Sequence, residues 1–330
     1  MGGENCRQVV LGVDIGGTSA KMGYVDRKGN CLTNSASVPT GARQTADVFF
    51  QQLHETAVAL RAELPPKHEV VGIGIGAANG NYYEGTIEYS PNLGWDHVDV
   101  RAELGRYYKV PVAVTNDANA AALGEMLFGA ARGMKNFIAI TLGTGLGSGI
   151  VVNGKIVYGA DGFAGELGHT IVDRNGRVCA CGRRGCLETY CSATGLRRTV
   201  QELICNTTLS SELRNISYEE LTAARISAAA QHGDALATVA FEACGETLGL
   251  QLSNAVAILS PEAIIISGGM AAAGDLILEP TRRALEKYVL MVFRNKVKIM
   301  PSSLPEGNVA ILGAGALIWN ELDKTTSCKT

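Results

Sequence analysis

VVLGVDIGGTSAKMGYVD, residues 9–26, decides the fold. Residues 9–18 are a β-branched run ending in a charged, glycine-rich turn, and residues 19–26 read as a second strand. Lys28-Gly29-Asn30 then marks a turn and residues 31–38 a third strand. Strand–turn–strand around Asp14-Ile-Gly-Gly-Thr18 is neither a Walker loop nor a dinucleotide fingerprint, because both of those put a helix straight after the glycines. Gly16 and Gly17 still let backbone N–H groups approach a phosphate, and Thr18 adds a hydroxyl. Asp14 is placed to hold a magnesium ion through water, and Lys21 to face phosphates. A tight hairpin with an incidental aspartate accounts for the same residues.

FIAITLGTGLGSGIVV, residues 137–152, repeats the pattern: an apolar strand, then Gly143-Thr144-Gly145, then another strand. Aligned with the opening stretch, it predicts an internal duplication, two α/β lobes each offering a glycine hairpin. Outward from these hairpins, apolar spacing predicts a helix over 42–62, a buried strand over 69–77 and a polar loop over 78–95 carrying Asn79, Asn81 and Asn92. A helix over 98–108 and a strand over 110–115 follow. That strand delivers Asn116-Asp117 to an alanine-rich helix over 118–131. Asp117 reads as an N-cap there, and the C-terminal end of a strand is also where α/β proteins bind ligands. Beyond 189 come helices to 259 with a break near 206–215, a buried strand ending in Ser267-Gly268-Gly269, a helix over 275–292, a short strand over 297–301 and an apolar helix over 309–320. Gly268 and Gly269 offer bare backbone to a flat ligand, or simply turn the chain.

Residues 162–188, GFAGELGHTIVDRNGRVCACGRRGCLE, carry the densest chemistry. Cys179, Cys181 and Cys186 follow a C-x-C-x4-C spacing with His169 ten residues upstream. Three thiolates and an imidazole complete a tetrahedral zinc set, and a closed set is structural rather than catalytic. Lone cysteines are more often small buried hydrophobes, but Gly182, Arg183, Arg184 and Gly185 make this no apolar core. Glu166 and His169, three apart, share a face on a helical turn. Pinning the loop brings Glu166, His169 and Glu188 together as hydrogen-bonding groups for a hydroxyl-rich ligand.

The 330 residues suffice for one or two domains with real cores, and 40 glycines without a low-complexity run point to close backbone approaches. A formal charge of −3 argues against nucleic-acid or anionic-membrane surfaces. Nine cysteines suit a reducing cytoplasm, and neither a signal sequence nor a long uncharged apolar run is evident.

DIGGT (14–18), TNDAN (115–119), LGTGLGSG (142–149), GELGH (165–169), CACGRRGCLE (179–188) and SGG (267–269), in this order, resemble the ROK family of repressors and sugar kinases, within the actin-like ATPase superfamily. ALGEMLFGAARG (122–133) looks like its bacterial glucokinase branch. The resemblance implies a two-lobed α/β, ribonuclease H-like fold, with mixed sheets flanked by helices and an interlobe cleft. Residues 1–115 with 309–330 would form the smaller lobe and 116–308 the larger. It implies ATP-dependent phosphorylation of a hexose 6-hydroxyl, glucose first, with mannose or an N-acetylhexosamine as the alternative. Asp117 would be the base, and Asn116, Glu166, His169 and Glu188 would bind hydroxyls. Asp14, Gly16, Gly17, Thr18 and residues 143–145 would surround the phosphates of Mg-ATP, with Gly268 and Gly269 beside adenosine. His169 would place one nitrogen on zinc and the other toward sugar. Many members have Gly-x-Pro-Gly where this chain has Gly76-Ala-Ala-Asn79-Gly80, so Asn79 becomes a candidate hydroxyl ligand. Family members are commonly dimers or tetramers. The rival activity, a sugar-responsive repressor, needs a helix-turn-helix before the first strand, and eight residues before Val9 hold none.

Overall fold

The computed structural model describes residues 7–41, 44–90, 93–305 and 307–327, and Asn92 lies outside them. The chain divides into two compact units: Met1–Gly133 with Ile156–Ala164 and Ser303–Thr330, and Met134–Lys155 with Gly165–Ser302.

The first unit begins with β1 (Arg7–Ile15), β2 (Ser19–Val25), β3 (Ala36–Pro39), α1 (Ala46–Arg61) and β4 (His68–Ala77). It continues through β5 (Gly80–Asn81), β6 (Thr86–Ser90), β7 (Trp95–Asp99), α2 (Val100–Gly105), β8 (Val112–Thr115) and α3 (Asp117–Leu127). Its main sheet has the order β3-β2-β1-β4-β8. β1, β4 and β8 are parallel, and β2 and β3 fold back antiparallel. Alternation along β1 sends Val9, Leu11, Val13 and Ile15 into a core with Phe49, Phe50 and Leu53 of α1.

The opposite face is lined by glycine because a helix backbone lies on it. A β-carbon on Gly12 or Gly74 would run into the carbonyl of Ile311 or Ala314 on the C-terminal helix, residues Val309–Ser327. That helix also crosses α3 at Gly313 and Gly124, where added β-carbons would meet backbone at 2.7 and 3.1 Å respectively. By their contacts residues 116–133 group with the first unit, where α3 packs along the C-terminal helix.

The second unit contains β9 (Phe137–Leu142), β10 (Leu146–Val152), the first residue of β11 (Lys155–Ile156), α4 (Ala193–Asn206), α5 (Ala223–Gln231), α6 (Ala235–Leu259), β12 (Ala263–Ser267), α7 (Asp275–Tyr288) and β13 (Lys298–Pro301). Its sheet runs β11-β10-β9-β12-β13. In both sheets the strands stand in the order third, second, first, fourth, fifth, and the first-to-second hairpin carries the glycine motif. The duplication is therefore topological as well as sequential. The C-terminal helix of the first unit is α8.

Several local expectations fail for identifiable reasons. Residues 31–35 hold only an isolated bridge between Cys31 and Val25: Leu32 N donates to the Tyr24 carbonyl at 2.8 Å, but the Thr33 hydroxyl takes the Tyr24 N–H at 3.3 Å in place of a backbone carbonyl. The polar loop of 78–95 carries most of a small antiparallel sheet, β5-β6-β7. The helix expected over 98–108 shrinks to α2, capped by Asp99, whose side chain accepts from Ala102 N at 2.9 Å. The alanine-rich helix ends at Leu127, where buried Glu125 accepts from Ala130 N at 2.8 Å and turns the chain.

Candidate active site

In the first unit the candidate residues converge at the carboxyl ends of the three parallel strands. Asp14 on β1, Gly76 on β4 and Thr115 on β8 stand abreast in register, and Lys21 pairs opposite Asp14 across the hairpin. The chain then leaves β8 through Asn116 into α3. Gly76 adjoins both acids, since a β-carbon there would touch the Cα of Asp117 at 3.7 Å and Oδ1 of Asp14 at 3.8 Å, and would press on the Ala120 β-carbon at 3.2 Å. The turn is braced from behind, because Thr40 donates its hydroxyl to the Gly16 carbonyl at 2.7 Å and its N–H to Thr18 at 3.0 Å. Gly17 and Thr18 stay exposed.

Asn116, not Asp117, is the N-cap of α3; its Oδ1 accepts from Ala118 N at 2.8 Å. Asp117 is the first helical residue, and its Oδ1 accepts from the same N–H at 2.8 Å. Its side chain opens to solvent, yet it stands deep among protein atoms. That loss of hydration raises its carboxyl pKa, outweighing the backbone N–H groups of Ala118 and Asp117 that pull it down. A helix dipole alone would predict the opposite direction. Burial first, and then the nearby Asp117 charge, push Asp14 up to about 6 against the pull of Lys21. Asn79 sits at φ 57°, with its side-chain amide donating to the Tyr89 carbonyl at 2.9 Å, so it braces the small sheet while its second amide hydrogen and Oδ1 stay available to other partners. Asn81 is wholly spent on structure, donating to Asp161 and Glu88 and accepting from Tyr83 and Glu84.

In the second unit the cysteine stretch folds as a finger. Ligand atoms of His169, Cys179, Cys181 and Cys186 all lie within 4.8 Å of one another. A tetrahedral zinc with bonds of about 2.3 Å sets its sulfurs about 3.8 Å apart. Cys181 and Cys186 are 3.6 Å apart, and His169 Nδ1 lies 3.7 Å from Cys179 Sγ, so the residues present fit the ion. Nδ1 is the nitrogen facing this set, which leaves Nε2 as the other. Gly185, at φ 75°, lets the finger close, since a β-carbon there would run into the Asp173 backbone.

Glu166 and His169 do share a turn, a 3-10 turn over Leu167–His169 with Glu166 at its head. Ser148 of β10 fastens this turn, donating to the Gly165 carbonyl and accepting from Leu167 N at 3.2 Å. The sequence reading missed Ser148, and only its place in LGTGLGSG hints at it. Glu188 follows the finger; its Oε1 accepts from Cys179 Sγ at 2.9 Å and lies 3.6 Å from His169 Nδ1. Its Oε2 is 2.6 Å from where a β-carbon on Gly145 would stand. Gly143 accepts from Ala193 N at 2.9 Å, which seats the hairpin on the start of α4, and Thr144 is exposed. Gly268, at φ 93°, packs against the backbone of Leu142, and Gly269 faces open space. The unit thus brings Gly143, Gly145, Glu188, His169 and the cysteines together, with Gly268 beside the base of the hairpin.

A glucokinase of Halalkalibacterium halodurans is 36% identical over 315 residues, covering 93% of this chain and 94% of that protein. A ROK family glucokinase from Streptomyces griseus, solved in complex with glucose and AMPPNP, is 34% identical with a TM-score of 0.78, over 94% of this chain and 98% of that one. A xylose repressor of Caldicellulosiruptor bescii is 35% identical over 77% of this chain but only 63% of its own length. Residues 10–321 match the ROK family model, and with both hairpins, the finger and the duplicated sheet in place, the chain belongs to the ROK family.

Proposed function

We propose that the chain transfers the γ-phosphoryl group of Mg-ATP to the 6-hydroxyl of a hexose, glucose being the leading substrate. The observation that carries this reading is the placement of Asp117 at the head of α3, where β8 ends and beside Asp14 and Gly76 at the carboxyl ends of β1 and β4. A carboxylate whose pKa is raised is a stronger base toward an alcohol, and general-base help of this kind is worth about 10²–10⁴ in rate. Its proton is taken late, as the hydroxyl oxygen bonds to phosphorus in a loose transition state, where most of the protein's work is positioning and charge screening. Asp14, with Lys21 opposite, is assigned to water-mediated magnesium and phosphate. Gly16, Gly17, Thr18 and residues 143–145 are assigned to the phosphate oxygens, and Gly268 and Gly269 to adenosine.

Asn116, Glu166, His169 and Glu188 are assigned to the hexose hydroxyls, and Oδ1 of Asn79 is a further candidate. Zinc, held by His169, Cys179, Cys181 and Cys186, would fix the finger and the imidazole's orientation. A metal-bound Cys179 thiolate has no proton to donate, so Glu188 Oε1 is then available to a substrate hydroxyl. This reading is supported by the two glucokinase relatives, one of them solved with glucose and a nucleotide analogue. The test is coupled ADP release with glucose: hexose-dependent release supports it. Hexose binding with no release would favour the second reading, a sugar-responsive regulator, which the similarity to the xylose repressor keeps in view.

A further inference from the structure

Metal ligation does not by itself explain what fixes Glu188. Arg177 stands two residues before Cys179, and its side chain is only 11% exposed. Its Nη1 donates to the carbonyls of Thr189 at 2.7 Å and Gly195 at 3.0 Å. Nε and Nη2 reach the two carboxylate oxygens of Glu202 at 2.9 and 2.6 Å, and Nη2 also donates to the Thr199 hydroxyl at 2.9 Å. The guanidinium carbon lies 4.5 Å over the ring of Tyr190, whose hydroxyl accepts from Arg177 N at 3.1 Å. Gly176 makes room for that hydroxyl, since a β-carbon there would strike it.

These contacts join the base of the finger to the residues immediately after Glu188 and, through Gly195, Thr199 and Glu202, to one side of α4. Glu188 is also held from that side, its carbonyl accepting from the Ser192 hydroxyl at 2.7 Å while Ser192 caps α4. A lysine cannot reproduce the arrangement, because one ammonium cannot span two carbonyls and a carboxylate in the plane of a fork. We propose that Arg177 is a positioning residue for hexose recognition, setting the place of Glu188 independently of zinc. The proposal rests on the reading of Glu188 as a hexose ligand.

The experiment uses the full zinc-loaded chain with glucose and Mg-ATP, comparing the parent with Arg177→Met and Arg177→Lys. Removing this charge-assisted network is expected to raise the glucose KM of Arg177→Met about tenfold or more, with kcat within about threefold. Zinc content and the KM for ATP are expected to stay at parent values, added zinc is expected to give no rescue, and Arg177→Lys should fall between. If the methionine variant fails to fold, the lysine variant carries the test on the same readouts. A glucose KM equal to the parent's overturns the proposal. So does a rise that comes with zinc loss and is reversed by added zinc, because Arg177 would then act only through the metal. A parent chain with no glucose-dependent ADP release would instead overturn the assignment of the site.

Discussion

Asp117 shows how a residue's chemistry depends on what surrounds it. TNDAN in the sequence marks a strand end meeting a helix start, which suffices to pick out Asn116 and Asp117. It does not say which of them caps the helix, nor that crowding by protein atoms would raise the Asp117 pKa where the dipole alone would lower it. The cap is set by the local backbone at Asn116, and the surroundings of Asp117 include Gly76 of β4, which is distant in sequence. Asp117→Asn is expected to lower turnover by about 10²–10⁴ while hexose affinity stays within a few-fold, read by steady-state kinetics alongside calorimetric titration. Near-parent turnover would remove Asp117 from the role.

Asp14 gives a pH prediction at the same scale. Its folded-state pKa of about 6 lies above the ordinary 3.8, so between those values the folded chain holds more protons than the unfolded one. Its contribution to stability therefore declines as pH rises through that window. Thermal melting in magnesium-free buffer should show the parent losing stability relative to Asp14→Asn from about pH 4 to about pH 6. Parallel profiles for the two proteins would contradict the burial account of Asp14.

Among the elements, the finger was the most legible, because ligand type and spacing are local in sequence. What holds it was not, since Arg177 reaches α4 residues about twenty positions onward. The hairpins were also legible, whereas the small β5-β6-β7 sheet was hidden in a stretch rich in asparagine and glycine that reads as loop. Its strands depend on Asn79 turning the chain and on the Asn81 side chain tying it to residue 161. Cys181→Ser, or chelation, is expected to lower zinc below one per chain and raise the hexose KM more than the ATP KM. A metal-free protein with unchanged hexose KM would deny the finger its role. Gly74→Ala is expected to destabilise by about 1–3 kcal/mol or more, because the new β-carbon meets the Ala314 carbonyl and only backbone movement relieves it. Denaturant unfolding checks this; an unchanged midpoint would mean that α8 is not seated as described.

The whole molecule is two units whose sheets share one strand order, and the two glycine hairpins announced that repeat. α3 packs with α8, whose sequence lies nearly two hundred residues away and carries no mark of its partner. No helix among the described residues is long and apolar enough to cross a membrane. At this scale the question is which sugar the assembled protein phosphorylates. Pocket contacts rather than bulk composition decide that, so the specificity constants of glucose, mannose and N-acetylglucosamine should be compared under one ATP concentration. The expectation is that glucose ranks first.

The most direct test of phosphoryl transfer is phosphorus NMR of the products formed from glucose and Mg-ATP by the parent and by Asp117→Asn side by side. The account predicts stoichiometric ADP and glucose 6-phosphate from the parent, and almost none from the variant over the same time. Inorganic phosphate without a sugar phosphate from the parent, or equal sugar phosphate from both proteins, would contradict it.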